Sequence, residues 1–268
     1  MTAQAHAMIP TFTPAMLALF ERCPQQYFLK YVQKRRVPEA FSSDLACGNA
    51  AHTVLHDVLE VYRRTGGYPI NLRERVEDAL PSDPYPDGTA WATDVERVLK
   101  WVKGALTSID ETARVIAVER WLEYAFPGNA ECPPFRLRHR VDLILEHADG
   151  VLEHRDWKCG KRAEVDALQN ATARIVVRQA FPDHPCILSS TVFLSHGIVQ
   201  IDELTREQVS AEWQRLKRLA TQSMGERDWL PVSNALCPWC PYYQRGCALY
   251  GSPDGRRDKT TDWLEGAA

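Results

Sequence analysis

Residues 135–147 read FRLRHRVDLILEH and residues 151–158 read VLEHRDWK, with Ala148-Asp149-Gly150 between them. The first stretch alternates. Leu137, Val141, Leu143 and Leu145 fall on one face, and Arg136, Arg138, Arg140 and Asp142 on the other. Asp-Gly between two such runs signals a hairpin. In the second strand, the period of two puts Asp156 and Lys158 on one face. A three-residue turn centred on Asp149 sets Asp142 opposite Asp156, whereas a two-residue turn shifts the register by one. Facing carboxylates are unfavourable as a purely structural pair, by a few tenths to about 1 kcal/mol. A divalent cation reverses the sign, because Mg²⁺ and Mn²⁺ prefer oxygen ligands. Lys158 projects beside the same place, where it can orient or deprotonate a water and offset phosphate charge. The bland alternative is a surface hairpin with solvated charges.

Upstream, the chain reads as helical. Thr13-Pro14 is a cap with proline at the first helical position, and Cys23-Pro24 restarts a second helix. Ser42, Ser43 and Asp44 offer caps for a helix to about Arg64, ended by Gly66-Gly67. A short helix near 72–80 and another over 91–109 follow, with strands from about 114. Downstream, residues 163–180 read as helix, 186–194 and 198–202 as strands, and 204–224 as an amphipathic helix. The expected organisation is one domain over 1–268. It has a helical part at 13–112, a sheet core at 113–225, a cysteine-bearing segment at 226–250 and a loose tail at 251–268.

The 268 residues carry 32 Lys+Arg against 35 Asp+Glu, a net charge of −3, with 45% apolar residues. That excludes a disordered chain and a generally basic nucleic-acid coat, though not a locally basic groove. No stretch reads as a membrane span or secretory signal, so the expectation is a cytoplasmic protein. In that compartment, clustered cysteines more often bind metal than form disulfides.

The order Asp142, hairpin, Asp156-Trp157-Lys158, Cys159-Gly160-Lys161 resembles the PD-(D/E)xK nuclease superfamily. The likeness is to its RecB-like branch, whose second motif reads D-Y-K-T-G-K where this chain has DWKCGK. Cys159 replaces the motif threonine, and His139 stands where the first motif often has glycine. The resemblance implies an α/β restriction-endonuclease-like fold, a central mixed sheet flanked by helices with a helical insertion and a C-terminal cysteine cluster. It also implies a G-x-x-x-H histidine, matched by Gly48 and His52, and a glutamine on the following helix, matched by Gln169. Ala173 occupies the position of the motif tyrosine, so that aromatic is absent. Glu119 matches an acidic position before the first motif only weakly, and a solvated strand residue is the simpler reading. The implied metal ligands for Mg²⁺ or Mn²⁺ are His52, Asp142, Asp156 and the Trp157 carbonyl, with Lys158 and Gln169 assisting. His52 and His56 are four apart, but Thr53 stands where a zincin has its glutamate.

Cys237-Pro-Trp-Cys240 and then Cys247 give C-x₂-C-x₆-C, three ligands without a local fourth. Three clustered cysteines plus a remote one suit a [4Fe–4S] cluster, and zinc remains open on ligand type alone. Cys23 resembles the first cluster cysteine of iron–sulfur RecB-like nucleases, which include AddB-like domains and CRISPR-associated exonucleases. Cys47, Cys132 and Cys186 read as core residues.

The expected activity is metal-dependent exonucleolytic hydrolysis of DNA, on single strands or ends. Arg138, Arg140, Lys161 and Arg162 are candidate phosphate contacts. Helicase, recombination or CRISPR proteins are the partners that the resemblance suggests, and no membrane is expected. The alternative is a catalytically weak DNA-binding subunit.

Overall fold

The computed structural model describes residues 9–38, 41–160, 163–184, 186–202 and 204–251. Two compact units emerge. One comprises residues 41–124 and 138–209, the other residues 1–40, 125–137 and 210–268.

The first unit begins with α3 (Ser43–Thr65), capped by Ser42, whose hydroxyl accepts the Leu45 N–H. It ends at Gly66, whose φ of +74° is the left-handed conformation that glycine supplies without a Cβ clash. Helices α4 (Leu72–Ala79) and α5 (Gly88–Thr107) follow. Helix α5 starts three residues earlier than its periodicity suggests, because the Asp87 carboxylate caps the Ala90 N–H at 2.8 Å. Strands β2 (Arg114–Phe126), β3 (Phe135–Glu146), β4 (Leu152–Lys158), β5 (Ile187–Phe193) and β6 (Ile198–Ile201) form the sheet with the two-residue β1 (Thr11–Phe12). The order is β1-β3-β4-β5-β6, with β2 also paired to β3. The β3/β4 and β5/β6 pairs are antiparallel, while β4/β5 and β1/β3 are parallel. This is the mixed, helix-flanked sheet that the family resemblance implied, and it has six strands.

Apolar layers cover both sheet faces in this unit. Leu143, Leu145, Trp157 and Val192 pack with α3 and α5, whereas Ile144 and Leu152 pack with Val176 and Val177 of α6 (Ala167–Ala180). Val141 joins the Ile144 side and not that of Leu143 and Leu145, so the simple alternation breaks there. Strand β4 is buried along almost its whole length although its sequence is polar. Burial of charge requires partners. Glu153 is held by Arg155 at 2.8 Å and His147 at 2.7 Å, and also accepts from Ser190. Burial alone would raise the Glu153 pKa, but the contacts with Arg155, Ser190 and His147 together hold the carboxyl below its usual range.

In the second unit, α1 (Pro14–Arg22) is capped by Thr13, and α2 (Pro24–Tyr27) continues as a π-helical turn to Val32. Phe135 packs against Phe12, Phe126 and Trp213, the last on α7 (Arg206–Gly225). No helix among the described residues is long and apolar enough to cross a membrane.

Candidate metal and nucleotide site

The hairpin register sets the site. His147 donates its N–H to the Val151 carbonyl, and Leu143 pairs with Arg155, so the turn has three residues centred on Asp149. Gly150 takes a φ of +81° in it. Continued one step beyond the Leu143–Arg155 pair, that register sets Asp142 opposite Asp156. Asp142 Oδ2 accepts the Trp157 N–H at 2.8 Å, which fixes the carboxylate at the point where the strands part.

Asp156, Lys158 and Gln169 form a closed triangle. Gln169 Nε2 donates to Asp156 Oδ1 at 2.6 Å, Lys158 Nζ lies 2.8 Å from Asp156 Oδ2, and Lys158 Nζ donates to Gln169 Oε1 at 2.8 Å. Gln169 is placed by the start of α6, where Asp166 caps its backbone N–H at 3.0 Å. That cap shortens the expected 163–180 helix to Ala167–Ala180.

His52, on α3, brings Nδ1 to 3.1 Å from Glu119 Oε1 and 3.8 Å from Asp142 Oδ1. The ligand atoms of His52, Glu119 and Asp142 all lie within 4.8 Å of one another, a spacing that a cation could bridge. Glu119 sits within β2 at a φ of +45°. A non-glycine residue there is strained by about 1–3 kcal/mol, a cost that functional sites often carry. Its second oxygen lies 2.9 Å from Arg140 Nε. Glu119 is thus better placed than its sequence match suggested. The available signal was a single acid closing the apolar run Val115-Ile116-Ala117-Val118.

Electrostatics agree with a cation position. Burial, and then the neighbouring Asp156, push Asp142 well above the usual carboxylate range. Burial would lower the His52 pKa, but the Glu119 hydrogen bond and the surrounding carboxylates raise it overall. An Asp with a raised folded-state pKa is fully stabilising below its unfolded value of ~4, and that contribution is lost as pH rises through the folded value. A bound cation would restore it. Adding Mn²⁺ should therefore raise the thermal midpoint more at about pH 8 than at about pH 6, and an equal shift at both would count against Asp142 as a ligand.

Asn49, His52, Thr53, His56, Glu119 and Arg140 line an open cavity of about 570 Å³, within the size range of small-ligand pockets. His139 and His154 are both buried, with ring centroids 6.0 Å apart. Burial pushes both down to about 4, so both imidazoles are neutral at physiological pH. The Trp157 ring is 3% exposed and belongs to the core. Ala173 is likewise buried. Arg138 lies over the Trp121 ring at 4.3 Å. Lys161 and Arg162 lie outside the described residues.

In the other unit, Cys23, Cys237, Cys240 and Cys247 line one pocket. Burial, more than any other influence, raises the Cys240 thiol, with Cys247 and Cys23 adding to the effect. Backbone contacts bring the segment to the N-terminal helices, with Tyr242 Oη donating to the Arg35 carbonyl at 3.0 Å and the Ala248 N–H to Gln25 Oε1 at 3.0 Å. Cys47 and Cys132 are buried as expected, but Cys186 is exposed, because it precedes β5 at the sheet's end.

A family model described as the PD-(D/E)XK nuclease superfamily matches residues 11–247. No curated protein matches the chain. Among solved structures, a candidate exonuclease of Eubacterium rectale is 12% identical, covering 90% of this chain and 92% of its own, with a TM-score of 0.46. The protein SSO0001 is also 12% identical, covering 90% of this chain and 86% of its own, with a TM-score of 0.41.

Proposed function

The chain belongs to the PD-(D/E)XK nuclease superfamily, and on that premise we propose that it is a Mg²⁺- or Mn²⁺-dependent deoxyribonuclease acting on single strands or ends. One observation carries the reading. The His52, Glu119 and Asp142 group stands beside the Asp156–Lys158–Gln169 triangle, with Asp142 and Asp156 facing across one hairpin. A divalent cation held there would neutralise developing charge on the phosphoryl oxygens. His52 and Asp142 are its ligands in this proposal, with Asp156, the Trp157 carbonyl and Glu119 completing the set. Lys158 Nζ holds and polarises the attacking water, and Gln169 keeps the ammonium aimed by bridging it to Asp156.

The four-cysteine pocket supports a [4Fe–4S] cluster held by Cys23, Cys237, Cys240 and Cys247, as in the iron–sulfur RecB-like branch. Such a cluster supplies structure in this reading, tying together chain segments more than two hundred residues apart in sequence. Recombination, repair, phage replication and CRISPR adaptation are the settings consistent with that branch.

The test is a cleavage assay with 5′- and 3′-labelled single-stranded and duplex DNA, with Mg²⁺, Mn²⁺ or chelator. Metal-dependent release of short products from one end is expected. Tight DNA binding with no cleavage under either metal would instead support the DNA-binding-subunit alternative, for which the alanine at position 173 is the specific motive.

A further inference from the structure

Trp121 lies on β2 with 46% of its surface exposed, although Arg138 already covers part of it. The guanidinium carbon sits 4.3 Å from the ring centroid. Two residues back along β2 is Glu119, and two residues on along β3 is Arg140. These are joined at 2.9 Å. The Trp121–Arg138 contact therefore lies two residues along each strand from the Glu119–Arg140 pair, whose Glu119 belongs to the group with His52 and Asp142. The core has no use for the indole, since the adjacent Leu122 turns inward at 5% exposure and the tryptophan does not. An exposed Arg–Trp contact alone adds little stability.

We propose that Trp121 and Arg138 form a stacking platform for an unpaired base of single-stranded DNA, one step from the bond being cut. This rests on the nuclease reading above and specifies its substrate. A flat indole accepts any base face, which gives strand binding without sequence readout. Arg138 holds the ring in place and offers its guanidinium donors to the backbone phosphate beside the stacked base. Arg140 continues the same basic row to the Glu119 end of the cavity. Bases within a duplex are already stacked on their neighbours and cannot splay onto the ring, so the platform selects single strands.

The test uses the full chain purified anaerobically, in chelator so that no cleavage intervenes. Binding of a labelled oligothymidine and of a blunt duplex of equal length is followed by fluorescence anisotropy. Trp121→Ala should weaken oligothymidine binding about tenfold, Trp121→Phe by no more than about threefold, and neither should shift duplex binding beyond about twofold. A thermal midpoint close to wild type for Trp121→Phe guards against a folding artefact. Unchanged oligothymidine binding by Trp121→Ala, or an equal loss on both DNAs, overturns the platform. If Trp121-dependent binding is seen in a protein that never cleaves with either metal, the platform stands and the nuclease reading falls.

Discussion

Lys158→Ala should lower metal-dependent cleavage of end-labelled single-stranded DNA by about 10²–10³-fold, while the metal-induced rise in thermal midpoint persists. The two readouts separate because Lys158 is not among the three residues whose ligand atoms gather within 4.8 Å. Its ammonium is held 2.8 Å from both Asp156 Oδ2 and Gln169 Oε1, so its position is set before any substrate arrives. Preorganised charge of this kind adds most where water is thin, and the Asp156 side chain beside it is only 4% exposed. Removing the ammonium also removes a positive charge next to the carboxylates, which should hold or strengthen cation binding. Asp142→Asn should behave oppositely, losing cleavage and the metal-induced stabilisation together. If Lys158→Ala cleaves at the wild-type rate, the lysine's proposed role is wrong. If it loses both readouts, the lysine holds the site together rather than acting on water.

The sequence made Asp142, Asp156 and Lys158 legible as a group because local rules control their placement, whereas Gln169 was legible only through the family resemblance. A three-residue turn fixes the hairpin register, a period of two sets the faces, and an Asp cap fixes where Gln169 starts its helix turn. Glu119 was less legible. Its reach to His52 depends on a left-handed residue inside a strand, and no periodicity signals that conformation. The burial of β4 was also hidden. Glu153, His154, Arg155 and Asp156 are four polar residues in a row, yet helices cover both faces, and the Glu153 and Arg155 charges are satisfied by one another and by His147, Ser108 and Ser190. Which polar strand becomes central is a property of the tertiary pairing order, not of its own residues. The two-residue β1 has no period to detect, and only its parallel pairing to Arg136 and Leu137 reveals it. The break in alternation at Val141 has the same origin, since it appears only in which layer the side chain joins.

Cys23→Ser should bleach the protein and lower its thermal midpoint by roughly 10–20 °C. Anaerobically purified wild type should be brown, with a broad band near ~400 nm and about four irons per chain. The magnitude follows from chain entropy. A cross-link between Cys23 and Cys237 closes a loop of more than two hundred residues, which stabilises by about 5 kcal/mol on the loop-closure estimate. Cys23 is the informative ligand to remove. The three C-terminal cysteines lie within eleven residues and would hold one another near the cluster whatever the rest of the chain did. Cys23 alone carries the closure to the N-terminal helices, where it is 8% exposed between α1 and α2. Serine keeps the size of cysteine and leaves the Gln25–Ala248 and Tyr242–Arg35 contacts in place, so any loss beyond about 1 kcal/mol reports the missing ligand and not the missing packing. A colourless wild-type protein with stoichiometric zinc would replace the cluster by a zinc site. The same substitution would then still lower the midpoint, because the loop entropy belongs to the connection and not to the metal.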